Sequence, residues 1–465
     1  FNSKSALEAR NIHLGIDLWC TADTPVLAAF DGVVHSFQDN TNHGDYGPTI
    51  ILKHCIDNVE FYTLYGHLNP DFMEHLKPGD IVERGAEFCR LGDPSMNGGW
   101  APHVHFQLAL TTEGIEDDWP GVGAPDEMYF WRAVCPNPAA LLNLPDEMVC
   151  YQPTETEAVL ADRHAHFGGN LSLTYDSPLM LVRGWQHHLF DQWGRPYLDA
   201  YNNVPHVGHA HPRIAAVVAD QLRRVNTNTR YLHPAQTRFA EKILSKLPDH
   251  LQVCYFVNSG SEANELALRL ARTHTGAKGM ITPDHGYHGN TTGAVDISAY
   301  KFNKPNGVGQ ADWVELVEVA DDYRGSYRRD DPQAAEKYLQ QAREQLDAME
   351  QRGYKPAAVI IDMVWDSNGP LVAPKDYVTG LCAEVRKRGG LVIADEVQSG
   401  YCRTGQNWWG CNNYDLQPDI LTCGKPMGGG HPLSLMATTR AILNDYSRVY
   451  HYFNTFGGNP VSAAV

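Results

Sequence analysis

One lysine stands directly after a short apolar run and before a cluster of glycines, in Thr422-Cys423-Gly424-Lys425-Pro426-Met427-Gly428-Gly429-Gly430. Poor solvation there lowers an amine's pKa, and the neutral amine is a nucleophile toward carbonyl carbon. Asp395 ends the run Leu391-Val392-Ile393-Ala394. A carboxylate in that place is costly to bury unless it meets a positive charge, such as a protonated ring nitrogen. Asn258-Ser259-Gly260-Ser261-Glu262 contains the S-x-x-E pattern of a capped helix start. The free N–H groups of such a start suit a phosphate dianion, and Gly260 lets the backbone come close. Tyr287 lies between Gly286 and Gly289, where its ring can lie flat against a ligand. Each feature alone also fits a structural role: a capped helix, a loop aromatic, a capping acid, a surface lysine.

A second constellation lies near the start of the chain. His13-Leu14-Gly15-Ile16-Asp17 and His103-Val104-His105 stand out. Residues two apart on a strand face the same side, so His103 and His105 can converge. Three protein ligands plus one water is the pattern of a catalytic zinc site, and His13, Asp17 and His105 can supply the three. His67, in Tyr65-Gly66-His67-Leu68, and His103 can polarise the water or hold an oxyanion. A lone H-x-H also occurs as two surface histidines.

The elements that must position these groups differ between the two regions. Residues 1 to about 120 read as short strands and turns: Pro25-Val26-Leu27-Ala28-Ala29, Gly32-Val33-Val34, Thr49-Ile50-Ile51-Leu52 and Glu60-Phe61-Tyr62-Thr63-Leu64. An all-β domain is expected over 1–120. Pro120, Pro125, Pro136, Pro138, Pro145 and Pro153 mark a linker over 121–159. From 160 to 465 helix and strand alternate, which implies an α/β domain with a mainly parallel sheet. Helices are expected over Pro212–Arg224, Ser259–His274 and Asp331–Gln351, the second stopped by Gly276. Strands are expected over Gln252–Val257, Ala357–Ile361, Leu391–Ala394 and Asp419–Thr422. Ligands of open α/β sheets bind beyond the strand ends, where Asp395 and Lys425 fall.

A lysine amine, a carboxylate for a pyridinium nitrogen, a phosphate cradle and a flat ring partner are together what pyridoxal phosphate (PLP) needs from a protein. At this point the chain resembles the class III aminotransferases, of PLP fold type I, over roughly Gly184 to Val465. The likeness includes Tyr197-Leu198-Asp199-Ala200, Gly208-His209-Ala210-His211-Pro212, Asn258 to Asn264, Tyr287-His288-Gly289, Asp395-Glu396-Val397-Gln398-Ser399-Gly400, Lys425 and Thr455-Phe456-Gly457-Gly458-Asn459-Pro460. The resemblance implies that Gly260 and Ser261 hold the phosphate, that Tyr287 stacks on the ring and that His288 belongs to the cofactor site. It implies that Asp395 pairs with the ring nitrogen, Gln398 lies beside the ring hydroxyl and Lys425 bonds the cofactor covalently. It implies that Thr455 reaches the phosphate of a partner subunit, hence a homodimer. Amino transfer from a small amine or amino acid to a keto acid or aldehyde is the implied activity.

Asn202 to His209 and Asn226 to His233 resemble the ethanolamine-phosphate phospho-lyase branch, so phosphate elimination from a phosphorylated amine is the alternative. Asp362-Met363 stands where many members have Glu-Pro. Family members also continue past Asn459-Pro460 into a C-terminal domain that helps close the substrate pocket, so the chain is expected to be a fragment. The region from about His13 to Leu108 resembles the lysostaphin-type zinc endopeptidases, with Asp31-Gly32-Val33-Val34, Lys77-Pro78-Gly79-Asp80 and Arg90-Leu91-Gly92 at the family's turns. A zinc peptidase beside an inert PLP half is therefore a further reading, as is a zinc-holding fold reused as a scaffold.

The bulk numbers bound these expectations. A chain of 465 residues needs two or three domains. A formal net charge of -18 argues against a nucleic-acid surface. No apolar run approaches the roughly 20 residues that span a bilayer. Ten cysteines without a C-x-x-C pair suit free thiols in a reducing cytoplasm.

Overall fold

The computed structural model describes residues 12–40, 42–112, 119–124, 128–145, 155–192 and 196–465. The chain divides into two compact units, Phe1–Ala200 and Tyr201–Val465. Among the described residues no helix is long and apolar enough to cross a membrane.

The first unit is built on a six-stranded sheet in the order Ile16–Trp19, His103–Ala109, Val59–Gly66, Gly47–Ile56, Gly32–Asn40, Ile81–Val82. Every pair in it is antiparallel. Ile50, Leu52, Tyr65, Val104 and Phe106 pack in one buried cluster on this sheet. The register puts Asp17 opposite His105 on one side and Gly66 opposite His105 on the other. Strand pairing alone thus carries three distant stretches of sequence to one place.

The described part of the stretch expected to be a linker carries short elements. Val122–Gly123 pairs with Ile12–His13, and Met128–Val134 is helical. Trp119 and Trp131 are buried. Trp119 packs with Ile51, Tyr62 and Leu64 of the sheet. Residues 125–127 and 146–154 of that stretch lie outside the described residues.

The second unit holds a seven-stranded sheet in the order Val253–Val257, Ser434–Thr438, Ile420–Cys423, Leu391–Asp395, Pro356–Asp362, Gly279–Pro283, Val314–Val317. Ser434–Thr438 runs antiparallel to both neighbours, and the other pairs are parallel. Pro356–Asp362 is buried along its whole length, as a strand covered on both faces must be. The helix Gly260–Thr275 turns Ala263, Leu266, Ala267 and Leu270 inward and ends at Gly276, whose φ is 66°. The helix Pro212–Arg224 matches its expected bounds. The helix expected from Asp331 begins at Ala334, because the Asp331 carboxylate accepts from Gln333 N and holds the turn before it.

Candidate functional site

In the first unit, His13 Nε2, Asp17 Oδ1 and His105 Nδ1 form a triangle with sides of 2.9, 3.1 and 3.2 Å. His105 Nε2 lies 3.0 Å from Gln107 Oε1. That oxygen only accepts, so the neutral ring carries its proton on Nε2 and a lone pair on Nδ1. The lone pair then faces a carboxylate oxygen of Asp17 at 3.1 Å. Two acceptors that close repel unless a cation lies among them. Donor atoms held about 2.0–2.1 Å from a tetrahedral zinc ion sit about 3.3 Å apart. The triangle matches that spacing, so the residues fit zinc. Burial works to raise the Asp17 carboxyl, but the histidines around it, His103 first, hold it well below the ordinary range.

His67 and His103 flank this triangle, both buried, their rings 4.1 Å apart. His67 donates Nδ1–H to Asn97 O at 3.0 Å, and His103 donates to Ala101 O at 2.6 Å. Burial lowers both imidazoles, His67 strongly. Donation from Nδ1 to a carbonyl leaves Nε2 as the unprotonated nitrogen of each neutral ring. His103 Nε2 stands 3.8 Å from Asp17 Oδ1. Asn97 is buried and bonds Gly92 O and Trp100 O, which fixes the turn that aims its own carbonyl at His67. His67 itself has φ 63°, a left-handed conformation of the kind that clusters at active sites.

In the second unit, Asp362, Asp395 and the segment leading to Lys425 come together at one sheet edge. Asp362 pairs with Asp395, and Asp395 with Thr422, across adjacent parallel strands. Lys425 follows Cys423 with φ 32°, half-buried. Burial lowers its amine, against the opposing charges of Asp366, Asp395 and Asp362. Asp395 is 4% exposed and accepts from His288 Nδ1 at 2.7 Å, Asn264 Nδ2 at 2.8 Å and Val397 N at 3.1 Å. Those bonds leave a carboxylate acceptor position for a cationic ring nitrogen. Burial, reinforced by Asp395, pushes the Asp362 carboxyl up to about 7.

At the helix start expected to cradle a phosphate, the capping departs from the usual pattern. Ser259 Oγ accepts from Glu262 N at 3.2 Å, but the Glu262 carboxylate reaches back to Asn258 N at 2.9 Å, one residue beyond the usual capping box. The N–H groups of Gly260 and Ser261 lie ahead of the first helical bonds and remain available to an anion. A Cβ on Gly260 would stand 2.9 Å from Val397, and one on Gly424 would stand 3.4 Å from Gly260 N. These glycines let the lysine loop, the Asp395 loop and the helix start close on one another. Asn290 N donates to Ser261 Oγ at 3.0 Å, which draws the Tyr287 loop to the same place. Tyr287 is half-buried, with Lys301 Nζ 5.3 Å from its ring centre. A lysine, a buried acid with an acceptor position left and a helix start of this kind fit PLP.

Two expected residues stand differently from the others. The Gln398 carboxamide is tied on both sides, accepting from Asn203 at 2.6 Å and donating to Asp366. Thr455 is exposed. Sequence reasoning passed over Asn264, which also donates to His288 O at 2.8 Å and accepts from Thr422 Oγ1 at 2.6 Å. Its signal was a polar residue within the apolar stripe of a helix. It also passed over Gln107, although His103, His105 and Gln107 repeat at the strand period.

Comparison with known proteins follows these two regions. The family described as Aminotransferase class-III matches residues 174–465, and Peptidase family M23 matches residues 11–116. The chain is 40% identical to an "alanine--glyoxylate aminotransferase 2-like" protein of Drosophila melanogaster, over 68% of this chain and 64% of the relative. It is 39% identical to "ethanolamine-phosphate phospho-lyase homolog 1" of Caenorhabditis elegans, over 66% of this chain and 68% of the relative. Its second region superposes on an Arthrobacter phospholyase solved in complex with phosphoethanolamine, with a TM-score of 0.62 and 42% identity, over 66% of this chain and 72% of that one. The chain thus spans about two thirds of the length of the relatives it matches.

Proposed function

Because the chain belongs to the class III aminotransferase family, we propose that its second unit carries PLP on Lys425 and moves the amino group of a small amine or amino acid to a keto acid or aldehyde. When bound, PLP supplies an aldehyde for the amine and a ring that withdraws electrons from the substrate carbon. The residues do the rest. Asp395, fixed by His288 and Asn264, keeps the ring nitrogen charged. Tyr287 covers one ring face. The Gly260 and Ser261 N–H groups anchor the phosphate. The Lys425 amine, neutral at lower pH than an ordinary lysine, takes and returns the proton at the substrate carbon. The observation that carries this reading is the convergence of Asp362, Asp395 and Lys425 at the ends of neighbouring parallel strands.

A second reading, elimination of phosphate from a phosphorylated amine, is supported by the 42% identity to the Arthrobacter phospholyase. Incubating the chain with PLP and O-phosphoethanolamine separates the two. Release of phosphate and aldehyde without a keto acid establishes elimination, and turnover that requires a keto acid establishes transfer. A homodimer, with Thr455 reaching across, belongs to the same proposal, as does a cytoplasmic setting.

For the first unit we infer a zinc-dependent peptidase site. A bound zinc ion would activate a water or polarise a peptide carbonyl. His13, Asp17 and His105 would hold it. The unprotonated Nε2 atoms of His67 and His103 suit them to take a proton from water. Cleavage of a glycine-rich or peptidoglycan peptide, lost in His13→Ala, tests this. A scaffold role predicts zinc binding without cleavage.

A further inference from the structure

We propose that Gln107 is a positioning residue for His105, and that Cys135, from beyond the peptidase-like region, braces Gln107. The proposal rests on the reading of His13, Asp17 and His105 as metal ligands.

Gln107 is fully buried, and both ends of its carboxamide are engaged. Oε1 accepts from His105 Nε2 at 3.0 Å, and Nε2 donates to Cys135 Sγ at 3.3 Å. Reversing the amide would put its NH2 group against His105 Nε2. The ring would then need its proton on Nδ1, inside the ligand triangle, where it would block a metal. The amide orientation, the ring tautomer and the metal site are therefore one coupled arrangement. Histidine ligands commonly donate their second N–H to such an acceptor, which sets ring orientation and basicity.

The brace comes from outside the matched residues 11–116. Cys135 follows the helix Met128–Val134, and Leu110 N donates to Val134 O at 2.9 Å, which locks this segment to the strand carrying Gln107. Trp131 of the same helix is buried. A Cβ on Gly15 would stand 2.6 Å from the same His105 Nε2. The imidazole thus packs closely on the Gly15 backbone while the Gln107 amide holds its Nε2.

The test is zinc affinity of the full chain, measured with Zn2+ alone against a chromogenic chelator, with His105→Ala as the reference for other zinc-binding groups. Gln107→Leu is expected to weaken binding about 10–100-fold. Gln107→Glu, which keeps an acceptor, should stay within several-fold of the unaltered chain. Equal affinity in Gln107→Leu overturns the proposal. If His105→Ala also keeps full affinity, the metal-site reading falls as well; if only His105→Ala loses zinc, the positioning role alone falls. A readout without any variant is selective 15N-histidine NMR of the metal-free chain. An Nε2–H tautomer of His105 is expected, and an Nδ1–H tautomer overturns the proposal.

Discussion

His288 Nδ1 lies 2.7 Å from Asp395 Oδ2, and both side chains are buried at the edge of the second unit's sheet. The same oxygen accepts from Asn264, whose own amide oxygen is held by Thr422. Strand, helix and loop are thereby tied to one carboxylate.

Asn264→Ala should uncouple this network. It removes a donor from Asp395 and from the His288 carbonyl, and leaves the Thr422 hydroxyl without its acceptor. A loss of about 1–3 kcal/mol is expected from buried polar groups left unpaired. Urea unfolding gives the stability change, and PLP retained after gel filtration should fall with it. Unchanged stability together with unchanged retention would show that Asp395 needs no such support.

Asp362 makes the cofactor-free chain sensitive to pH. Its carboxyl sits at about 7, against an ordinary 3.8. Between those values the folded state keeps a proton that the unfolded state releases. Its contribution to stability is therefore present at low pH and lost as pH rises through about 7. Asp362→Asn should flatten this dependence. At pH 8 it should melt above the unaltered chain by at least the ~2–4 °C that 1 kcal/mol gives a domain of this size. Parallel melting curves from pH 4 to 8 would contradict the shift.

Gly15→Ala should damage the zinc site without unfolding the unit around it. The added carbon would stand 2.6 Å from both His105 Nε2 and Phe106 O, so the ring has to move. Zinc affinity should drop about tenfold or more. Metal content after dialysis against a weak chelator measures this, with circular dichroism as the check on folding. Full zinc retention would mean that His105 has room to shift and still bind.

The two sites should fail independently. Lys425→Ala is expected to end amine turnover and to leave zinc content unchanged. His13→Ala is expected to do the reverse. Loss of both activities in either variant would contradict two separate chemistries.

Much of this arrangement was legible in the sequence because its signals are local. Leu391 to Ala394 reads as a buried strand from its apolar run alone, and Asp395 at its end follows from that. Ser259 and Gly276 mark the helix between them through capping chemistry that needs no tertiary contact. The parts that were not legible depend on long-range contacts. Cys135 meets Gln107 only because a helix folds back beside the strand. Val122 pairs with His13 across most of the first unit, a contact that the Pro-rich stretch around it does not announce. Asn203, far off in sequence, donates to the Gln398 amide, a contact that the motif around Gln398 does not announce.

One amine, that of Lys425, is expected to bond the cofactor. The most direct measurement is to incubate the chain with PLP, record its visible spectrum, reduce with borohydride and map the labelled peptide by mass spectrometry. A band near about 410–430 nm that borohydride removes, with the pyridoxyl group on the peptide containing Lys425, is the predicted result. A colourless protein, or a label carried by another lysine, would contradict the account.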